Sequence, residues 1–127
     1  MIDIEATLRA HLLTVPDLAA KVGTRIYGGP DLPPGYTLAD GAAILLAVRG
    51  GPQHYSSGLF TASVQFRCYA NGSVAVRELD GALYDALNDE QFGVVRMARL
   101  DDYPQLLTEP ETDWMFSLSF YTVTIGS

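Results

Sequence analysis

A chain of 127 residues suits one domain with a single core, and 48% hydrophobic with 18% charged residues excludes a disordered chain. Eight Lys and Arg against 15 Asp and Glu leave a net charge of -7, which repels phosphates and anionic lipids and argues against DNA binding as the main activity. One cysteine, Cys68, excludes an internal disulfide and a Cys-based metal site, and no stretch has the apolar length to span a bilayer.

From the N-terminus, Ile4, Leu8, Leu12 and Val15 recur at helical spacing, so residues 3–15 read as an amphipathic helix that Asp3 can cap. Asp3 and Glu5 also argue against a signal peptide, which places the protein in the cytoplasm where it is made. Pro16 and Asp17 restart a short helical turn through Leu18 and Val22, stopped by Gly23. Thr24 to Tyr27 read as extended, and the Gly- and Pro-rich residues 28–41 as a loop. Ala42 to Arg49 form an apolar run short enough for a buried strand, and Gly50 to Gly58 a polar connection. Leu59 to Tyr69 alternate, with Phe60, Ala62, Val64, Phe66 and Cys68 on one face and Thr61, Ser63, Gln65 and Arg67 on the other. That is a half-buried antiparallel strand, paired most simply with 42–49.

Ser73 can cap a second helix over about residues 74–88, with Val76, Leu79, Leu83, Ala86 and Leu87 as its stripe. Gly81 weakens it, a sign that something packs closely there. Val94 to Leu100 and Trp114 to Ile125 are the remaining strands, separated by an acidic loop, Asp101 to Asp113, in which Pro104 and Pro110 block regular structure. Trp114, Phe116, Leu118 and Phe120 share one face of the last strand. The order predicts one α+β domain over residues 1–127, an antiparallel sheet of about four to five strands with two main helices on one face. Leu8, Leu12, Val64, Phe66, Leu79, Leu83, Leu118 and Phe120 are expected to share its core.

Chemistry-bearing residues are sparse. His54, Ser56 and Ser57 share a loop, but no nucleophile elbow of the Gly-x-Ser-x-Gly type occurs, so a polar turn is the better reading. His11 lies beside the first helical stripe, and two histidines so far apart make no zinc site. Asp101, Asp102, Glu109, Glu111 and Asp113 lack the spacing of a calcium loop and read as a solvated acidic loop. No catalytic residue, cofactor or metal is expected. Tyr36, Tyr55, Tyr103 and Trp114, with His54 beside Tyr55, lie in or next to loops outside the periodic core positions and are the expected protein-contact residues.

In order, these segments resemble the tail completion and tail terminator family of long-tailed bacteriophages, which includes lambda-like tail terminators. The opening IEATLRAHLLTVPDLAAKVGTRIYGG is similar to the family's helix and short turn leading into an RIY strand. PDLPPG followed by AAILLAVRG resembles its Pro-rich loop and first long strand. SSGLFTASVQFRCYANGSVAVRELDGALYDAL resembles its strand ending in a Cys-Tyr-like pair and the Ala- and Leu-bearing helix after it. DWMFSLSFYTVTI is similar to its closing strand. The chain departs from the family in reading DGAAILLAVRG where LPAIVY is common.

The resemblance implies a virion protein of the head-proximal tail end, without enzymatic activity. It would assemble in the host cytoplasm as a hexameric ring that caps the tail tube. Its partners would be further copies of itself, the major tail tube protein and a head-completion or connector protein. DNA would pass through the ring without specific binding, and no membrane is involved. The alternatives are a head-completion or connector adaptor, a minor tail protein and, from other classes, a small metal-dependent hydrolase using the acidic loop or a generic ligand-binding α+β domain of bacterial origin. The hydrolase reading requires several carboxylates and a histidine to converge in one pocket.

Overall fold

The computed structural model describes residues 3–49 and 59–126. The connection 50–58, with His54 and Tyr55, lies outside them. Helix α1 spans Ile4–Leu12, and the Asp3 carboxylate accepts from the Ala6 amide at 3.0 Å, the expected cap. Helix α2, Pro16–Val22, begins on its proline and ends at Gly23, whose φ of +58° favours a residue without a side chain. Strands β1 (Ile26–Gly28), β2 (Ala43–Val48) and β3 (Leu59–Tyr69) precede helix α3 (Ser73–Leu87). Strands β4 (Val95–Leu100), β5 (Gln105–Thr108) and β6 (Met115–Gly126) follow it.

The fold is α+β, as the element order predicts, with six strands in the order β1-β2-β3-β6-β4 and β5 beside the start of β6. β6 is long enough to hold two strands end to end on one edge. Its residues Met115–Leu118 pair with β5, and Tyr121–Ile125 with β4. Two expectations are corrected here. Four residues of the acidic loop form β5, because Pro104 ends just before Gln105 and Pro110 falls after Thr108, leaving Gln105–Thr108 free to donate to a neighbour. The sheet is also not wholly antiparallel, since β1 runs parallel to β2, pairing Ile26 with Ile44.

All three helices lie on one face of the sheet. Leu8 and Leu12 of α1, Leu18 and Val22 of α2, and Leu79, Leu83 and Leu87 of α3 meet Ile44, Leu46, Val64, Phe66, Tyr121, Val123 and Ile125. Polar side chains fasten α1 to the β1–β2 edge: Arg9 donates to the Ile26 carbonyl at 2.6 Å, and Glu5 accepts from the Val48 amide at 3.0 Å.

Leu118 and Phe120 do not join that core. β6 turns Ser117, Ser119 and Tyr121 toward the helices, because in register Ser117 faces Cys68, Ser119 faces Phe66 and Tyr121 faces Val64. Leu118 packs instead with Leu45, Tyr69 and Phe116 on the far side. Serines serve under α3 because a small side chain leaves room for the helix. The alternation of Tyr121, Val123 and Ile125 with Thr122 and Thr124 carries the correct parity.

These assignments are separable by mutation. Leu83→Ala should cost about 2–5 kcal/mol, and Tyr121→Ala about 3–5 kcal/mol as a large buried aromatic. Phe120→Ala should cost well under half of the Tyr121→Ala value, since Phe120 is only half-buried. Urea unfolding would check the order; equal losses at 120 and 121 would refute the observed facing.

Candidate functional site

The side of the sheet away from the helices is covered only in part. Leu32, Leu38 and Tyr36 from the loop 29–41, with Trp114, close over Leu45, Tyr69 and Phe116. The Tyr36 hydroxyl donates to the Gly41 carbonyl at 2.5 Å, and its ring meets Tyr27 and Trp114 edge to face. Burial pushes this phenol up to about 12, with Arg25 opposing the shift. Tyr36 and Trp114 therefore sit together, half-buried on their own sheet, while Tyr103 stands apart at 79% exposure.

Beyond the loop, no other described segment covers this face, and it carries arginines. Arg67 stacks over Phe116 at 5.3 Å and Arg49 over Phe120 at 5.0 Å. Arg67 Nε is buried without a hydrogen-bond partner among the described residues. Arg96 lies across Gly126, where an added Cβ would overlap its guanidinium. Arg99 pairs with Asp89 at 3.0 Å, and Met97 is exposed beside it. The sequence reading missed this surface, although Arg67 on the polar side of β3 was its first trace.

On the helix side two grooves flank α3 and share Gly81. One, about 650 Å³, lies between α3 and β5, lined by Asp80, Tyr84, Asp85, Tyr103 and Ser117. The other, about 480 Å³, lies between α2 and α3, lined by Asp17, Lys21, Glu78 and Asp85. Contrary to the sequence expectation, no other part of the described chain packs against Gly81: outside its own helix turn, none of it lies within 4 Å of where its Cβ would be.

Neither any protein-family model nor any curated protein matches the chain. Among solved structures, a chain from the virion of a native gene transfer agent (GTA) particle superposes with a TM-score of 0.70 at 18% identity. The match covers 98% of this chain and 95% of that one. The two chains share one fold. The likeness spans nearly the whole of both chains and holds for the fold, not for individual side chains.

Within that fold the reactive groups are built into the structure. Cys68 is fully buried, and burial pushes its thiol up, away from a nucleophilic thiolate. His11 Nε2 lies 3.1 Å from the Ala86 carbonyl, and its ring stacks on Phe92 with centroids 3.6 Å apart. Neither groove contains it. Among the described residues no three His, Cys, Asp or Glu side chains gather as metal ligands. No helix among them is long and apolar enough to cross a membrane.

Asp80 is a carboxylate drawn into the core boundary. Burial raises its pKa, and the Ser117 hydroxyl, donating at 3.0 Å, opposes part of that rise. A carboxyl with a raised folded-state pKa binds more protons folded than unfolded, so stability falls as pH rises from the ordinary Asp range through the raised value. Asp80→Asn keeps an acceptor for Ser117 and removes the charge. Thermal unfolding across that acidic range should show a smaller loss of stability with rising pH in the variant. Identical slopes would show that Asp80 is fully solvated.

Proposed function

We propose that this protein is a structural subunit of a virion and, within it, the tail terminator that forms a ring on the finished tail tube and joins it to the head. The observation that carries the virion reading is the fold shared with the gene transfer agent virion chain over nearly the full length of both. The narrower role draws on the sequence resemblance, from the α1–α2 opening to the closing strand β6. A broad, half-apolar sheet face and shallow grooves suit contact between proteins better than turnover of a small substrate.

Tube subunits add head to tail, a heterologous contact that leaves a live end until another protein covers it. A terminator matches that end on one side and offers no copy of it on the other. Separate contact surfaces on a rigid sheet meet this demand. Here they are the exposed Tyr103 beside the α3 groove and the loop 29–41, held in place by Tyr36 and Trp114. Each subunit binds the tube weakly, and six joined contacts act with high effective concentration. Copies of the same chain, the major tail tube protein and a head-completion or connector protein are the partners. The reading calls for no cofactor.

Removing the gene and imaging the lysate by electron microscopy tests this. Over-long headless tubes beside filled tailless heads are expected. Tails of normal length left unjoined would favour a head-completion adaptor, and normal joined particles would refute both.

A further inference from the structure

The charges of this chain are segregated by layer. Among the described residues the six strands hold no Asp or Glu, so all 15 acidic residues lie in helices and loops. The sheet face away from the helices carries Arg49, Arg67, Arg96 and Arg99, half of the eight cations of the chain. Arg99 is paired with Asp89 and Arg67 is half-buried, so Arg49 and Arg96 are its exposed cations without a carboxylate partner among the described residues. The opposite, helical side presents Asp17, Glu78 and Asp85 around the α2–α3 groove, three carboxylates against the single cation Lys21. Gly81 stands in the middle of that surface. A glycine inside a helix is destabilising relative to alanine, and among the described residues nothing outside the helix uses the space it leaves. A partner from outside would use it.

We propose that the arginine-bearing sheet face of one copy docks on the acidic α2–α3 surface around Gly81 of a second copy of this chain. The two patches are complementary in charge and lie on opposite sides of one subunit, so the contact is heterologous and repeats from copy to copy, closing into a ring when the rotation permits. Exposed Arg49 and Arg96, already laid flat on Phe120 and Gly126, supply the cations. Gly81 lets the neighbouring sheet approach the α3 backbone. This deepens the ring reading above and rests on it. The contact is partly screened by salt, so association weakens as ionic strength rises.

Charge reversal with recombination tests the pairing on the full chain. Arg49→Glu/Arg96→Glu and Glu78→Arg/Asp85→Arg should each remain monomeric in sedimentation velocity at concentrations where the unmodified chain associates. An equimolar mixture of the two variants should associate again, because every contact in an alternating assembly is then between opposite charges. Melting temperatures near that of the unmodified monomer show that both variants fold. Gly81→Gln should raise the melting temperature of the lone subunit while weakening association at least tenfold. Association of either reversed variant alone, or no recovery in the mixture, overturns the inference. An unmodified chain that stays monomeric at every concentration overturns it too. Tail length after gene removal judges the terminator reading separately, since that phenotype does not depend on which faces meet.

Discussion

The antiparallel pairing of β3 with β6 is the constraint on which the rest of the structure depends. It runs along all eleven residues of β3, from Leu59 opposite Gly126 to Tyr69 opposite Phe116. β6 then provides the edge for both β4 and β5, and β3 the edge for β2. β3 is apolar mainly toward the helices and carries Thr61, Ser63, Gln65 and Arg67 on its other side, whereas β6 also turns Phe116, Leu118 and Phe120 away from the helices. Three helices cover the first side, and among the described residues the loop 29–41 covers the second around Phe116. The partial cover follows from this pairing, because the polar side of β3 needs none.

How much of this was legible in the sequence follows from which signals were local. α1 carries its Asp3 cap, α2 its starting proline and stopping glycine, α3 its apolar stripe and β3 its strict alternation, so they read correctly from short windows. The expected Ser73 cap does not form, since Ser73 lies inside α3, which starts after Gly72 with no side-chain cap. β5 did not, because its four residues become a strand only by pairing with β6, a contact that composition cannot display. The parallel β1 is of the same kind: Thr24 to Tyr27 announced an extended segment but not its direction. The facing of β6 was misread because Phe116, Leu118 and Phe120 outweigh Ser117 and Ser119 on any hydrophobicity count. What decides is the volume available under α3. Tyr36 and Trp114 were marked by their loop positions, and the structure shows them holding that loop to the sheet. Gly81 was read as a close approach within the chain, whereas the space beside it is open.

The serine inlay has a cost that fits its place. Ser119 Oγ has no partner among the described residues, and Ser117 is bonded to Asp80, itself half withdrawn from water. A buried polar atom left unpaired costs about 1–3 kcal/mol. Replacing both serines by larger apolar residues would push α3 off the sheet and shift the α3 grooves with it. The inlay trades some stability for the position of α3, the helix that bears the acidic surface.

Arginine rather than lysine on the sheet face follows from the aromatic rings beneath it. A guanidinium stacks over Phe116 or Phe120 and, in the exposed Arg49, still offers donors to a partner, whereas a lysine ammonium would stand off into water. Stacking also fixes the side chains before any partner arrives, so less conformational entropy is lost on contact. The remaining acidic residues fall into place on the same argument. The loops 29–41 and 101–113 carry Asp31, Asp40, Asp101, Asp102, Glu109, Glu111 and Asp113 and no Lys or Arg at all. These two segments therefore leave a negative surface that repels phosphates, set apart from the arginines stacked on the sheet.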